Sequence, residues 1–456
     1  MSKKIITAMS PGKLGSGCTP SAVAAGIKAN PDFIGVDAGS TDPGPYYIGS
    51  GVSFYTHQNI KKDLTTLLQA TQSLKIPLIV GNAITTGTDV LLEQGLEILR
   101  EVAKEQGMNL KVGIIHSEQK KEEVREWLKA ETIKPLGATN NLTLEDVNDA
   151  TNILGQMGVE PIIAALDGSP DVVFAARACD DCIFAAMPIR EGFDPGLSLH
   201  MGKILECGSM SCIPNDLHGS LIAHLSENNF ILDPPEPHRV CTTYSVAAHT
   251  LYERDNPYWQ PGPGGANDLS NCVFEQLDGC RVKVSGSKWV SSVYTVRMEG
   301  VKFAGYRTIC ITGLRDPILI GCIDNVLNEV KQEVASRFAD QLDSFTLTFR
   351  QYGRDAVMGA LEPERDTLPH EIGLLFEVIA NTQELANSVC TFARGAVQHA
   401  WYPNIIATAG NMAYPFSPFT VPAGGVYQFH IDHLRTVKNP CSMFPVSFES
   451  IGKIIV

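Results

Sequence analysis

Short apolar runs alternate along the first half of the chain with stretches whose apolar residues recur every three or four positions, the pattern of parallel β-α-β units. The runs Ile5 to Met9, Phe33 to Asp37, Pro77 to Val80, Lys111 to His116, Glu160 to Leu166 and Asp171 to Ala176 predict strands. Between them, Val90, Leu91, Ile98, Leu99 and Val102 mark one helix, and Val124, Trp127 and Leu128 another. The expected class is α/β, with a doubly wound, Rossmann-like parallel sheet over residues 1–225. After about 225 the texture changes. Asp233-Pro234-Pro235-Glu236-Pro237-His238 and Gln260-Pro261-Gly262-Pro263-Gly264-Gly265 are turn-rich and suit no regular element. Residues 226–456 are therefore expected to form a second α/β or α+β domain. Its predicted strands are Arg281 to Val284, Tyr294 to Met298, Thr308 to Thr312 and Ser344 to Phe349. A helix is predicted from Pro317 to Phe338, and a long one from Pro369 to about His399. Ile372, Leu375, Phe376, Ile379, Val389, Phe392 and Ala396 would line the stripe of the long helix.

Composition narrows the class. The chain has 456 residues, 44% of them hydrophobic and only 19% charged, as in a folded protein of two or three domains. Its 36 Lys and Arg against 50 Asp and Glu give a formal charge of −14, which argues against nucleic acid as the principal partner. A local positive pocket for a small anion remains compatible with that balance. Met1-Ser2-Lys3-Lys4 is followed by only five largely apolar residues, too few for a signal peptide's core, and no apolar run reaches the ~18 residues of a membrane span. A cytoplasmic protein with reduced thiols is expected, since its 12 cysteines lack the dense spacing of a secreted disulfide scaffold.

Candidate chemistry gathers at predicted strand ends. Ser10-Pro11-Gly12-Lys13-Leu14-Gly15-Ser16-Gly17 follows the first strand, and Gly12, Lys13, Gly15 and Gly17 are candidate substrate-binding residues for an anion; a tight turn needed only for topology is the other reading. The spacing fits neither the dinucleotide fingerprint nor the P-loop. The second strand ends in Asp37-Ala38-Gly39-Ser40-Thr41-Asp42-Pro43-Gly44-Pro45-Tyr46-Tyr47, the densest polar loop in the chain. Asp37 and Asp42 can share proton transfer or hold a divalent cation such as Mg through oxygen ligands, with Ser40 and Tyr47 alongside; equally, they can be turn and cap residues. Asn82 and Asp167 close later strands and join the substrate-binding set. In Leu199-His200-Met201-Gly202-Lys203-Ile204-Leu205-Glu206-Cys207-Gly208, helical spacing puts His200, Lys203 and Cys207 on one flank, making His200 and Glu206 candidate catalytic groups or buried structural ones.

Other motifs carry less. Cys179-Asp180-Asp181-Cys182 with Cys207 and Cys212 offers four thiols for a metal, although two buried small residues on one helix face explain the first pair equally well. His370-Glu371 lacks the second histidine of a zinc helix, having Leu374 there, and suits a helix N-terminus after Pro369. Ala409-Gly410-Asn411-Met412-Ala413-Tyr414-Pro415-Phe416-Ser417-Pro418 is expected to follow a strand. On another strand His430 and Asp432 would share a face, with His433 opposite.

Several segments in order, the Gly-rich opening, Val36 to Pro45, Gly202 to Gly208, Tyr252-Glu253-Arg254-Asp255-Asn256-Pro257, Arg281-Val282-Lys283-Val284-Ser285-Gly286 and Gly410 to Pro418, make the chain resemble the acyclic terpene utilisation family over nearly its whole length. The family is named from a pathway that degrades branched isoprenoid acids as CoA thioesters. The resemblance implies an acyl-CoA or small carboxylate as partner, and a homo- or hetero-oligomer in which a small, separately encoded protein subunit joins this chain. It carries no catalytic residue with it.

These readings combine into an expected catabolic lyase, a hydratase or dehydratase that abstracts a proton from an unsaturated or hydroxylated carboxylic acid or its CoA thioester. The absence of a dinucleotide fingerprint, a Walker loop and a nucleophile elbow turns the reading away from redox, kinase and hydrolase chemistry. The alternative is a large ligand-binding subunit whose small partner completes the active site, with exposed Tyr258, Trp259, Tyr414 and Phe416 as its docking face.

Overall fold

The computed structural model describes residues 5–408 and 411–452. Two compact units divide the chain, Met1–Lys302 with Phe429–Val456, and Phe303–Gln428. The N-terminal Met1-Ser2-Lys3-Lys4, and Ala409 and Gly410 of the predicted loop, lie outside the described residues. Among the described residues no helix is long and apolar enough to cross a membrane.

The first unit is built on a mixed sheet of ten strands. Five form its parallel centre, in the spatial order Ile6–Ser10, Phe33–Gly39, Leu78–Thr85, Val172–Ala175 and Leu110–Ile115. Ala8 stands opposite Phe33, Val36 opposite Val80, and Phe174 opposite both Val80 and Ile114. Nearly every residue of these strands is buried, because helices cover parallel strands on both faces and leave no polar side. Leu221–Leu225 joins antiparallel to Ile6–Ser10, and Asn229–Asp233, Val282–Ser285 and Val273–Gln276 extend that edge. Residues 226–302 thus belong to the first unit, and the division falls after Lys302 where the expected boundary stood near 225. Val446–Ile451 closes the other edge antiparallel to Leu110–Ile115.

Three helix starts near the sheet carry side-chain caps. Thr56 accepts from the Asn59 amide ahead of His57–Leu74, Thr88 from Leu91 ahead of Asp89–Gln106, and Asp194 from Leu197 ahead of Pro195–Leu205. The run Glu160 to Leu166, predicted as a strand, lies inside a helix, Val159–Asp167. Its residues bury one side only, Pro161, Ile162, Ala165 and Leu166, at a helical spacing that a short apolar run conceals.

In the second unit, Phe345–Tyr352 pairs antiparallel with Ile372–Ala380, which pairs with residues 306–314. Helices Pro317–Arg337 and Gln383–Gln398 share a core with these strands, in which Leu319, Ile323, Leu327, Leu374, Phe376, Val378, Val389 and Ala393 are buried. The predicted long helix over 369–399 is therefore a strand followed by a helix, and His370 and Glu371 precede the strand and cap no helix. Ile372, Leu374, Phe376, Val378 and Ala380 are buried in strict alternation. Tyr294 to Met298 and Thr308 to Thr312, predicted as separate strands, fall within or at the start of one continuous strand, Thr295–Leu314. Asn411 is preceded by irregular chain over 400–408, where a strand was expected.

Candidate functional site

Polar side chains converge at the C-terminal ends of the parallel strands, where α/β sheets place ligands. Asp37, at the end of the second strand, is completely buried. The Lys13 ammonium lies 3.3 Å from its Oδ2, and the Asn82 amide nitrogen donates to its Oδ1 at 2.9 Å. The same nitrogen donates to Asp180 Oδ1 at 2.7 Å, so Asn82 spends both amide hydrogens holding two carboxylates together. Its carbonyl oxygen accepts from Arg177 Nη1 and the Ala178 amide, each at 3.0 Å. Asn82 itself has φ 54°, a left-handed conformation that turns its side chain at the sheet edge.

Behind this row lies a second, fully desolvated layer. Arg177 Nε donates to Glu299 Oε2 at 2.8 Å, and Arg177 Nη2 to Thr41 Oγ1 at 3.2 Å. Thr41 in turn donates to Glu299 Oε1 at 3.2 Å. Burial penalises the Glu299 carboxylate, yet Arg177 holds its pKa below the ordinary value. The front row stays in touch with solvent: the Lys13 side chain is 24% exposed and that of Asp180 27%.

Electrostatics separate the carboxylates. Desolvation, then the neighbouring charge of Asp37, push Asp180 up to about 7, against the pull of Arg177 and Lys13. The charge of Asp37 raises Lys13 well above its ordinary value despite partial burial. A second ion pair flanks the row: Lys203 donates to Glu206 at 2.5 Å and to Glu253 at 2.9 Å. Burial, then the charge of Asp180, raise Glu206 well above the usual carboxylate range. Cys207 is pushed up to about 12, chiefly by burial, which makes it a poor nucleophile.

The predicted residues distribute unevenly over this site. Lys13, Asp37, Asn82 and Glu206 belong to it. Gly15 and Gly17 are close by, but their amides, with that of Cys18, donate to the Asp63 carboxylate at 2.8, 3.1 and 3.0 Å. The anion in the glycine nest is a side chain of the protein. Gly12, at φ 98°, abuts the Leu217 carbonyl, so it serves the close approach of two backbone segments. Ser40 Oγ accepts from the amide of the exposed Asp42 in a local turn, and Tyr47 packs edge-on against Tyr46 and Phe54. The positive charge beside Asp37 is the Lys13 ammonium.

His200 and Asp167 stand apart. The His200 ring is completely buried, with Nδ1 2.7 Å from Ser287 Oγ and Nε2 2.9 Å from Thr250 Oγ1, and burial lowers its pKa to about 3. Asp167 ends a helix ahead of the strand Val172–Ala175, at the opposite edge of the sheet, and accepts from Arg190. His430 Nε2 lies against the Asp146 carbonyl, while Asp432 pairs with Arg297. Cys212 Sγ faces Cys241 Sγ at 3.7 Å, so the imagined four-thiol set does not form. Cys179, Asp181 and Cys182 bring their ligand-type atoms within 4.8 Å, one group short of a closed four-ligand zinc site, and no metal is assigned there.

Sequence reasoning missed Arg177, Asp180, Thr41, Glu299 and Asp63 as site-building residues. Arg177 and Asp180 directly follow a predicted strand, so the strand-end argument that selected Asn82 would have selected them too. Residues 52–410 match the sequence model of the acyclic terpene utilisation family, described as Acyclic terpene utilisation family protein AtuA. The chain belongs to that family. No curated protein and no solved structure matches it. Within the family match lie Asn82, Arg177, Asp180, Lys203, Glu206 and Glu299, whereas Lys13 and Asp37 precede it.

Proposed function

We propose that this member of the acyclic terpene utilisation family is a cytoplasmic proton-transfer enzyme, a hydro-lyase that adds or removes water on a small unsaturated or hydroxylated carboxylic acid or its CoA thioester. One observation carries the reading: Asp180, with a pKa near 7 and a partly exposed side chain, shares Asn82 with the buried Asp37, to which the accessible cation Lys13 is paired. In this reading Asp180 takes the proton next to the carbonyl and Lys13 stabilises the enolate-like oxygen. The Lys203–Glu206 pair supplies the proton that lets the hydroxyl depart. Asn82, with every hydrogen-bonding group committed inside the protein, positions Asp180 and Asp37 and leaves the oxyanion to Lys13. The strands before these residues, parallel and joined through helices, support a doubly wound, Rossmann-like reading of the sheet centre. The free thiols support a reducing compartment.

A second reading makes the chain the large subunit of a complex. The exposed Tyr244, Tyr252, Tyr258 and Trp259, in the stretch that also supplies Glu253 to Lys203, favour it as a surface for a small partner.

Proton NMR in heavy water, with a panel of unsaturated and hydroxylated acids and branched acyl-CoA thioesters, tests the first reading. Deuterium uptake or water addition is expected, rising with pH through about 7 as Asp180 loses its proton, and lost in Asp180→Asn and Lys13→Met. Turnover that persists in both folded variants would refute it. Silence of the pure chain, with activity on adding a small subunit, would favour the second.

A further inference from the structure

The first turn of helix Asp180–Arg190 carries two thiols that the proposed proton transfer does not use. Cys179 is the N-cap of that helix and Cys182 the third residue inside it, the two positions whose side chains meet in a capping box. Here the groups that meet are thiols: both sulfurs and an Asp181 carboxylate oxygen lie within 4.8 Å of one another. Contact with Cys179, then burial, push the Cys182 thiol up, so Cys182 stays protonated until a partner draws on its sulfur. The two residues differ in access. Cys179 is partly exposed and lines a cavity of about 490 Å³ with Gln156, Trp259, Ser292 and Arg297, whereas Cys182 is 2% exposed. An accessible thiol with a second thiol at its side is the arrangement in which an oxidised sulfur is resolved as a disulfide.

We propose that Cys179 and Cys182 are a modification site, closing to a reversible disulfide on exposure to a small peroxide. The Cys179 sulfur attacks one oxygen of hydrogen peroxide, the O–O bond breaks, and a sulfenic acid and one water result. The Cys182 sulfur then attacks the sulfenic sulfur, and its proton leaves with the hydroxyl as a second water. Two thiols are oxidised and one peroxide is reduced; a dithiol reopens the bond by exchange. Transient, redox-sensing disulfides are the kind a reducing compartment allows. Bond formation brings the sulfurs to about 2.05 Å and tightens the turn between them. That turn carries Asp180, whose Oδ1 accepts from Asn82 at 2.7 Å. Gly202 of the neighbouring helix packs on the Asp181 carbonyl with no room even for a Cβ, so the turn cannot yield on that side. Closure therefore displaces Asp180 from Asn82 and lowers turnover; this effect rests on the hydro-lyase reading, and the bond itself does not.

Non-reducing peptide mapping of the full chain after stepwise addition of hydrogen peroxide tests the bond. A crosslink between Cys179 and Cys182 is expected as the first disulfide of the chain, reopened by dithiothreitol. Cys182→Ser should stop at the sulfenic acid, trapped on Cys179 by dimedone, and Cys179→Ser should leave Cys182 a thiol. Cys212 and Cys241, with sulfurs 3.7 Å apart but 2% and 0% exposed, should stay reduced. Overoxidation of Cys179 without the crosslink, earlier oxidation of Cys212 with Cys241, or a crosslink that forms only as the chain unfolds would overturn the proposal. Turnover of the proposed reaction should fall at least tenfold in the crosslinked chain, return with dithiothreitol, and resist peroxide in Cys179→Ser. A crosslinked chain with unchanged turnover would overturn the effect on Asp180 and leave the hydro-lyase reading standing. A reduced chain without turnover would count against that reading and leave the crosslink standing.

Discussion

Replacing Arg177 by Met removes the cation of a buried pair and leaves its partner in place. The guanidinium and the Glu299 carboxylate are 6% and 4% exposed and meet at 2.8 Å. Breaking such a pair costs about 3–5 kcal/mol, because the remaining charge stays desolvated. Arg297 lies 3.7 Å from Glu299 and offsets part of the loss, so the expected cost is about 3 kcal/mol at pH 7.5. At ~2 °C per kcal/mol, the large-domain end of the usual range, the midpoint falls by about 6 °C. The pH dependence follows from the sign of the shift. In the parent, Glu299 is held below its ordinary pKa, so its stabilising contribution is present above the unfolded pKa and fades as pH falls through the depressed value. In the variant, burial without Arg177 raises that pKa, and protonation on acidification relieves the penalty. The gap between parent and variant therefore narrows from pH 7.5 to pH 5. Arg177→Met with Glu299→Leu removes both charges and should recover more than half the loss. Calorimetry with urea unfolding at both pH values reads these quantities. A loss under about 1 kcal/mol, or a gap that widens on acidification, would refute the account of Arg177 as the cation that makes Glu299 tolerable.

Other consequences are open to direct measurement. His200 is neutral in the fold with its pKa lowered to about 3, so the unfolded chain takes up a proton there first and stability is lost as pH falls below 6.5; the parent should lose about 2 kcal/mol more than His200→Gln between pH 7 and pH 5 in urea titrations. Turnover in His200→Gln should survive, since the ring contacts Ser287 and Thr250 and none of the strand-end carboxylates. Asp63→Leu strips three backbone amides of their acceptor and should cost about 3 kcal/mol, with faster hydrogen exchange at Gly15, Gly17 and Cys18, whereas Asp63→Asn keeps part of that bonding. Gly202→Ala would set a Cβ 2.2 Å from the Asp181 carbonyl, forcing helix Pro195–Leu205 off the first turn of helix Asp180–Arg190; turnover should fall more than stability, and equal effects would count against that turn as part of the site.

The parallel strands were legible because burial on both faces leaves uninterrupted apolar runs, and Phe33 to Asp37 or Lys111 to His116 can hardly be anything else. Where the reading failed, two periods coincided. Ile372, Leu375, Phe376 and Ile379 fit i, i+3, i+4, i+7, but only because two outward positions of a strand, Leu375 and Ile379, are also apolar. The burial alternation through Leu374 and Val378 decides for the strand. At the site, Lys13, Asp37 and Asn82 were readable from strand-end position alone. Asp180 was hidden inside a C-x2-C spacing that drew notice to the thiols. The glycine loop was read as a seat for an anionic ligand, whereas its amides take the carboxylate of Asp63, in a distant helix, and no local pattern announces a contact between positions 15 and 63.

The charge balance of the front row also bears on which substrate form the proposed enzyme takes. Asp37, Asp180, Glu206 and Glu253 face Lys13 and Lys203, with Arg177 3.8 Å from Asp180 but already paired to Glu299, so the cluster holds more carboxylates than it neutralises, and burial concentrates the cost on Asp180 and Glu206. A free carboxylic acid bound at Lys13 would add a further negative charge and compete with Asp37 for the ammonium. That disfavours ionised Asp180 and moves its pKa above 7 in the complex. A thioester brings no charge to the reacting end and leaves the pKa near its value in the free enzyme. The pH profile of kcat/KM reports the free enzyme and that of kcat the complex. For a carboxylate substrate the rise in kcat should therefore lie at higher pH than the rise in kcat/KM, and for a thioester the two should coincide. A kcat rise at lower pH than that of kcat/KM would mean that the bound substrate brings positive charge or expels Asp37, and the assignment of Asp180 as the base would have to be given up.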